Sequence, residues 1–155
     1  MPQSEVVLCH PVRTAIGSYN GSLKGTPATD LGAAVVRETL ARSGLDPQRI
    51  DSVVMGNVIQ AGNGQNPARQ AALNGGLSEH VAALTVNKVC GSGLKAIMLA
   101  AQGIATGDIE IAVAERLQNR FIVSLAGDGV TVETRDARAR KLAMQLVLDF
   151  FRSDA

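Results

Sequence analysis

The 155-residue sequence contains no tryptophan, one tyrosine and three phenylalanines, so aromatic side chains contribute little to any core. It has two cysteines, Cys9 and Cys90, far apart in the chain. That excludes a small disulfide-stapled domain and makes a reducing, cytoplasmic setting the expectation. It lacks a charge excess of either sign: 15 basic side chains face 14 acidic ones, a formal net charge of +1. Nucleic acid and anionic membrane surfaces are recognised through surplus Lys and Arg, so neither is expected as a partner. No apolar run approaches the ~20 residues of a membrane span. The opening MPQSEVVLCH has no charged n-region, continuous h-region or Arg-rich amphipathic presequence. What remains, 46% hydrophobic and 19% charged, describes one soluble globular domain long enough to fold without a disulfide or metal staple.

The composition changes along the chain. Residues 1–114 hold 14 of the 16 glycines and one aromatic, Tyr19, whereas residues 115–155 hold two glycines and Phe121, Phe150 and Phe151. Charge is balanced on both sides of this break. Two segments are therefore expected, 1–114 and an unrelated tail, 115–155.

The first segment alternates between strand and helix signals. Residues 5–9 form a β-branched run that stops before Pro11, followed by a glycine-rich loop over 17–25. Thr29 or Asp30 is placed to cap a helix to about Ser43, with Leu31, Val35, Val36 and Leu40 on one face and Gly44 as its stop. Residues 51–58 read as a buried strand, and 66–74 as a short helix with Pro67 in its first turn. A third strand is expected over 83–89. Residues 92–106 form a helix charged only at Lys95, apolar or small almost all round, which predicts burial on more than one side. A fourth strand is expected over 109–114. Such alternation implies an α/β fold, a mostly parallel sheet with helices on both faces. In the tail, 120–125 and 130–134 read as strands around an AGDG turn, and 135–152 as a helix with a wide apolar surface. That β-hairpin and helix have no assigned place in the fold.

The chemistry concentrates at VNKVCGSGLKA, residues 86–96. Here a strand ends, Cys90 sits at the turn, and a helix begins at once. A helix N-terminus presents unpaired N–H groups and positive partial charge, which favours thiolate over thiol. Gly91 and Gly93 permit tight backbone geometry and close approach of a substrate carbonyl. The Cys90 N–H is itself a candidate oxyanion donor. The carboxyl ends of strands in a parallel sheet are where ligands bind. The plainer alternative is that Cys90 is a small buried hydrophobe, and spacing alone leaves both readings open.

VNKVCGSGLKA, with VRTAIGSYNGSL at 12–23 and MGNVIQAGNGQNPARQAA at 55–72, resembles the thiolase family, specifically its biosynthetic acetyl-CoA C-acetyltransferases. The likeness covers about residues 5–114. It implies that Cys90 is the nucleophile that accepts an acyl group, in a reversible condensation of two acetyl-CoA molecules to acetoacetyl-CoA. It also implies no metal or redox cofactor, coenzyme A thioesters as substrates, and a homo-oligomer. Family members carry a second half-domain with a Gly-His-Pro motif and a Cys-Gly-Gly motif, neither of which occurs here. His10 and His80 stand outside any such motif and read as surface or strand-end histidines, and Cys9 as a structural cysteine. After Ala114 the family continues Gly-Gly-Met-Glu, where this chain has Glu115-Arg116-Leu117-Gln118. A truncated member, poorly active or inactive alone, is expected. The alternative is a non-catalytic, self-associating protein that reuses the core.

Gln65, Asn66 and Arg69 are candidate interface residues by the same resemblance, or equally a polar turn capping the following helix. The surrounding GNGQNP fits neither a P-loop nor a dinucleotide fingerprint. Lys88 and Lys95 either attract an anionic thioester or are a solvated strand residue and a snorkelling lysine.

Overall fold

The computed structural model describes residues 6–117 and 122–126. The expected turn at 126–129, strand at 130–134 and helix at 135–152 lie outside the described residues, apart from Ala126. Among these residues five strands and three α-helices follow in the order β1 (Val7–Val12), α1 (Ala28–Ser43), β2 (Ser52–Gly56), α2 (Pro67–Asn74), β3 (Ala82–Val86), α3 (Ser92–Thr106), β4 (Ile111–Arg116) and β5 (Ile122–Ala126). They build one sheet of order β1-β5-β4-β2-β3. β2 pairs in parallel with β3 and β4, while β5 runs antiparallel to both β4 and β1. Four strands therefore share one direction, and the sheet is mostly parallel as expected. It does not stop at the compositional break: β4 continues to Arg116, and β5 is wedged between β4 and β1.

Several boundaries move for identifiable reasons. β1 does not stop before Pro11 but runs to Val12, with a register shift between Cys9 and Val12 and His10 at φ 49°. β1 is an edge strand, where a bulge tolerates a residue without an N–H. α1 begins at Ala28 with Pro27 as its N-cap, so Thr29 and Asp30 lie inside its first turn and do not cap it. Gly44 closes it at φ 64°, its N–H bonded to the Leu40 carbonyl.

The helices cover both faces. α1 and α2 lay Val35, Val36, Ala68, Ala71 and Ala72 against Val53, Met55, Ile111, Val113 and Leu117. On the other face, α3 lays Ala96, Ala100 and Ile104 against Val54, Ala112 and Ala114. α3 is not buried on several sides. Among its residues Ser92, Ala96, Ala100 and Ile104 are buried, a single stripe at intervals of one turn, and the remainder are half-buried or exposed. The stretch Val89–Thr106 also comes nearer to a membrane span than expected, with mean hydropathy 1.2 over 18 residues. In this fold it contributes the helix that packs on the sheet.

Candidate active site

β3 ends at Val86, and α3 begins six residues later at Ser92. Cys90 lies on the intervening turn with its side chain exposed, so the reading of it as a buried hydrophobe does not hold. Val89, immediately before it, sits at φ 47°. A β-branched residue is strained in the left-handed region and persists there only where its surroundings over-determine it. Two side chains do so. Asn87 accepts the Val89 N–H through Oδ1 at 2.9 Å and donates through Nδ2 to the Val58 carbonyl at 3.0 Å, tying the turn to the segment after β2. The fully buried Ser92 hydroxyl donates to the Val89 carbonyl at 2.7 Å and accepts the Lys88 N–H at 2.9 Å. The turn is thus closed across Cys90 from both sides.

The N-terminus of α3 is pressed onto the carboxyl ends of two strands. A Cβ on Gly56, the last residue of β2, would lie 2.5 Å from the Ser92 carbonyl carbon. A Cβ on Gly93 would lie 2.8 Å from the Arg116 Cβ at the end of β4. Both glycines allow backbone approach that no side chain permits. Gly93 therefore serves packing against Arg116. Gly91 has φ −85° and acts as the N-cap of α3, and its would-be Cβ meets the Lys88 carbonyl oxygen at 3.4 Å. The Arg116 Nη1 donates to the Cys90 carbonyl across 3.5 Å.

The two histidines are remote from this turn. His10 lies on β1 at the far edge of the sheet from β3, four strand spacings or about 19 Å away. Burial and then the Arg42 charge hold its imidazole below the usual histidine range. His80 is exposed and precedes the amino end of β3, whereas Cys90 follows its carboxyl end. Cys9 is buried in β1.

Asn66 and Arg69 are engaged inside the chain. Asn66, the N-cap of α2, accepts from the Arg69 N–H at 3.3 Å and the Thr85 hydroxyl at 2.8 Å, and donates to the Ala83 carbonyl at 3.0 Å. Arg69 donates to the Val81 and Glu79 carbonyls at 2.7 and 2.6 Å. Of these carbonyls Ala83 belongs to β3, and Glu79 and Val81 to the segment that leads into it, so the two side chains tie the start of α2 to β3 and its approach. The Gln65 carbonyl accepts from Gln70 at 2.9 Å.

On the opposite face of the sheet, the carboxyl ends of β2 and β4 carry two buried polar side chains. Among the described residues neither Asn57 amide atom nor Glu115 Oε2 has a hydrogen-bond partner. Burial alone raises the Glu115 carboxyl to about 8, so it is largely protonated at neutral pH. Asn87, Ser92, Gly56 and Arg116 are the residues around the turn that sequence reasoning did not single out. A serine two residues after the cysteine was visible, but its two bonds depend on the φ of Val89.

A sheet covered by helices on both faces, with an exposed cysteine on a strained turn between strand and helix, defines an α/β domain that displays a cysteine at the carboxyl edge of its sheet. More particularly, the chain belongs to the thiolase family: the family model described as thiolase, N-terminal domain, matches residues 6–120. The chain is 48% identical over 136 residues to an acetyl-CoA acetyltransferase of Pseudomonas aeruginosa, covering 88% of this chain and 35% of that protein. It is 57% identical over 113 residues to the acetyl-CoA acetyltransferase of Escherichia coli, covering 73% and 29%. A third relative, from Cupriavidus necator, is 53% identical over 116 residues, covering 75% and 30%. The chain thus spans about a third of the length of these curated relatives. All three are described as acyl-transferring enzymes, and none supports the alternative of a non-catalytic interaction protein.

Proposed function

We propose that this chain carries the nucleophile half of an acetyl-CoA C-acetyltransferase site, with Cys90 as the acyl acceptor. The observation that carries the reading is the exposed Cys90 side chain, held on a strained turn at the carboxyl edge of the sheet inside a matched thiolase domain. The Cys90 thiolate attacks the acetyl thioester carbonyl. Oxyanion charge develops toward the Cys90 N–H and the positive end of α3, and coenzyme A leaves as its thiolate. The product is acetyl-Cys90. Capture of this acetyl group by the enolate of a second acetyl-CoA gives acetoacetyl-CoA and returns the thiolate. The substrates are coenzyme A thioesters, and no step calls on a metal or redox cofactor.

The full cycle also needs a histidine to activate the sulfur for the first attack and a base to form the enolate for the second. Neither His10 nor His80 reaches Cys90, and a catalytic unit that loses members fails far more than additively. The 155-residue polypeptide by itself is therefore expected to acquire an acetyl group slowly and without turning over. Incubation with acetyl-CoA followed by peptide mass analysis should place at most one acetyl group per chain on the Cys90 peptide and none in Cys90→Ser. Acetylation at the same level in Cys90→Ser would refute the assignment. Acetoacetyl-CoA thiolysis that disappears in Cys90→Ser would keep the nucleophile but overturn the half-site.

A further inference from the structure

Arg116 closes β4 on the α3 side of the sheet, and its side chain starts against Gly93 in the first turn of that helix. From there its guanidinium reaches the nucleophile turn, with Nη1 3.5 Å from the Cys90 carbonyl oxygen. Its Nε is buried and has no hydrogen-bond partner among the described residues. A guanidinium carries five N–H donors in a rigid fork matched to carboxylate geometry. Among the described residues the one hydrogen bond of the Arg116 side chain is to the Cys90 carbonyl, so most of that capacity is uncommitted at the turn that carries an exposed sulfur.

Among the described residues no acid pairs with Arg116. Residues 80–107 contain no aspartate or glutamate, while Lys88 and Lys95 flank Cys90. Among the described residues the one side-chain ion pair is Arg42–Glu38, on α1. Glu115 adjoins Arg116 in sequence but, one residue out of phase along β4, points to the opposite face, where its Oε2 lies near Gly32 of α1. Glu79 and Asp108 stand at the other end of the sheet, before β3 and after α3. The family pattern places two glycines where this chain has Glu115 and Arg116, so the cation is a property of this sequence.

We propose that Arg116 is a specificity-determining residue that draws anionic electrophiles to the Cys90 sulfur, in particular thioesters whose acyl group ends in a carboxylate. A carboxylate paired with the guanidinium fork sets the acyl chain in one orientation beside the turn. The inference rests on the reading of Cys90 as the nucleophile.

Iodoacetate and iodoacetamide test it on the intact chain. In both reactions the Cys90 thiolate displaces iodide and forms a carbon–sulfur bond, and the reagents differ in charge. Rates are read as mass added to the Cys90 peptide, which leaves Cys9 out of the measurement. Arg116→Gln should lower the ratio of the iodoacetate to the iodoacetamide rate about three- to tenfold, the range expected for one charge a few ångströms away in a partly solvated site. Arg116→Lys should retain much of the ratio, and Arg37→Gln on the exposed side of α1 should leave it as in the parent. About 0.5 M salt should lower the parent's ratio toward that of Arg116→Gln, a measurement that stands even if the variant fails to fold. A ratio indifferent to both Arg116 and salt, or equal loss of both rates in a folded variant, would overturn the proposal and leave Cys90 as nucleophile. Failure of either reagent to label Cys90 in the parent would overturn both readings together.

Discussion

The two faces of the sheet are built from different materials. Under α1 and α2 lie Val53, Met55, Val113 and Leu117, with Met55 and Leu117 among the largest fully buried side chains. Under α3 lie Ala112 and Ala114, met by Ala96 and Ala100, with glycines at the two tightest contacts. Apolar burial scales with area, so the first face supplies most of the stability. Small residues let α3 lie close to the sheet, and closeness fixes the start of the helix relative to the strand ends. One face stabilises the fold, and the other positions the turn that holds Cys90. Changes on the two faces should therefore separate stability from cysteine reactivity.

The largest expected effect comes from a polar intruder on the stabilising face. Glu115 is buried among apolar side chains with its carboxyl raised from an ordinary 4.5 to about 8. Below the ordinary value the group is protonated both folded and unfolded. Between there and about pH 8 the folded chain binds a proton that the unfolded chain does not require. Stability should accordingly fall by several kcal/mol as pH rises through that window, and level off above it. Urea unfolding between pH 5 and 9 should record the slope, and Glu115→Gln should remove most of it. A parent curve flat over this range would show that the carboxylate is accommodated.

Met55→Ala removes a wholly buried side chain from the same face and should cost about 2–5 kcal/mol, with little change in the rate at which Cys90 of the folded protein is alkylated. Gly56→Ala is the converse experiment one residue along. Its new Cβ would meet Ser92 backbone, which cannot swing aside as a side-chain tip can. About 1–3 kcal/mol of stability should be lost, and the alkylation rate of the folded protein should change several-fold as the α3 N-terminus shifts. Equal alkylation rates in Met55→Ala and Gly56→Ala would abolish the distinction between the faces.

Much of this arrangement was legible in the sequence, and what was not has physical causes. Gly44 as the stop of α1, Asn66 before α2 and the full extent of α3 are set by short-range chemistry, and each was readable from a few neighbouring residues. Strand order was not. The insertion of β5 between β1 and β4 depends on its pairing with β1 across more than a hundred residues, for which no local pattern exists. The passage of β1 through Pro11 depended on its being an edge strand, itself a consequence of that order. At the site, the motif put Cys90 on the turn and left its exposure open, and the clamps made by Asn87 and Ser92 exist only once Val89 takes a positive φ. Arg116 was visible merely as a departure from the family pattern. Its meeting with Gly93 and the Cys90 carbonyl follows from packing.

The two glycines beside Cys90 offer the finest division within the positioning face. They look equivalent in Cys-Gly-Ser-Gly, yet their surroundings differ. Gly93 leaves no space for a Cβ, because Arg116 occupies it. Gly91 has an ordinary negative φ and a neighbour at the limit of normal contact. Gly91→Ala should therefore change stability by no more than about 0.5 kcal/mol, since a compatible φ also trims unfolded-state entropy. Its Cys90 alkylation should remain within about twofold of the parent, a difference below that expected for a change of one nearby charge. Gly93→Ala must displace either Arg116 or the first turn of α3, and should change the iodoacetate to iodoacetamide ratio as well as the rates. If Gly91→Ala is the more disruptive of the two, open backbone at the cysteine matters more than the closeness of α3 to the sheet. The positioning would then reside in the turn alone.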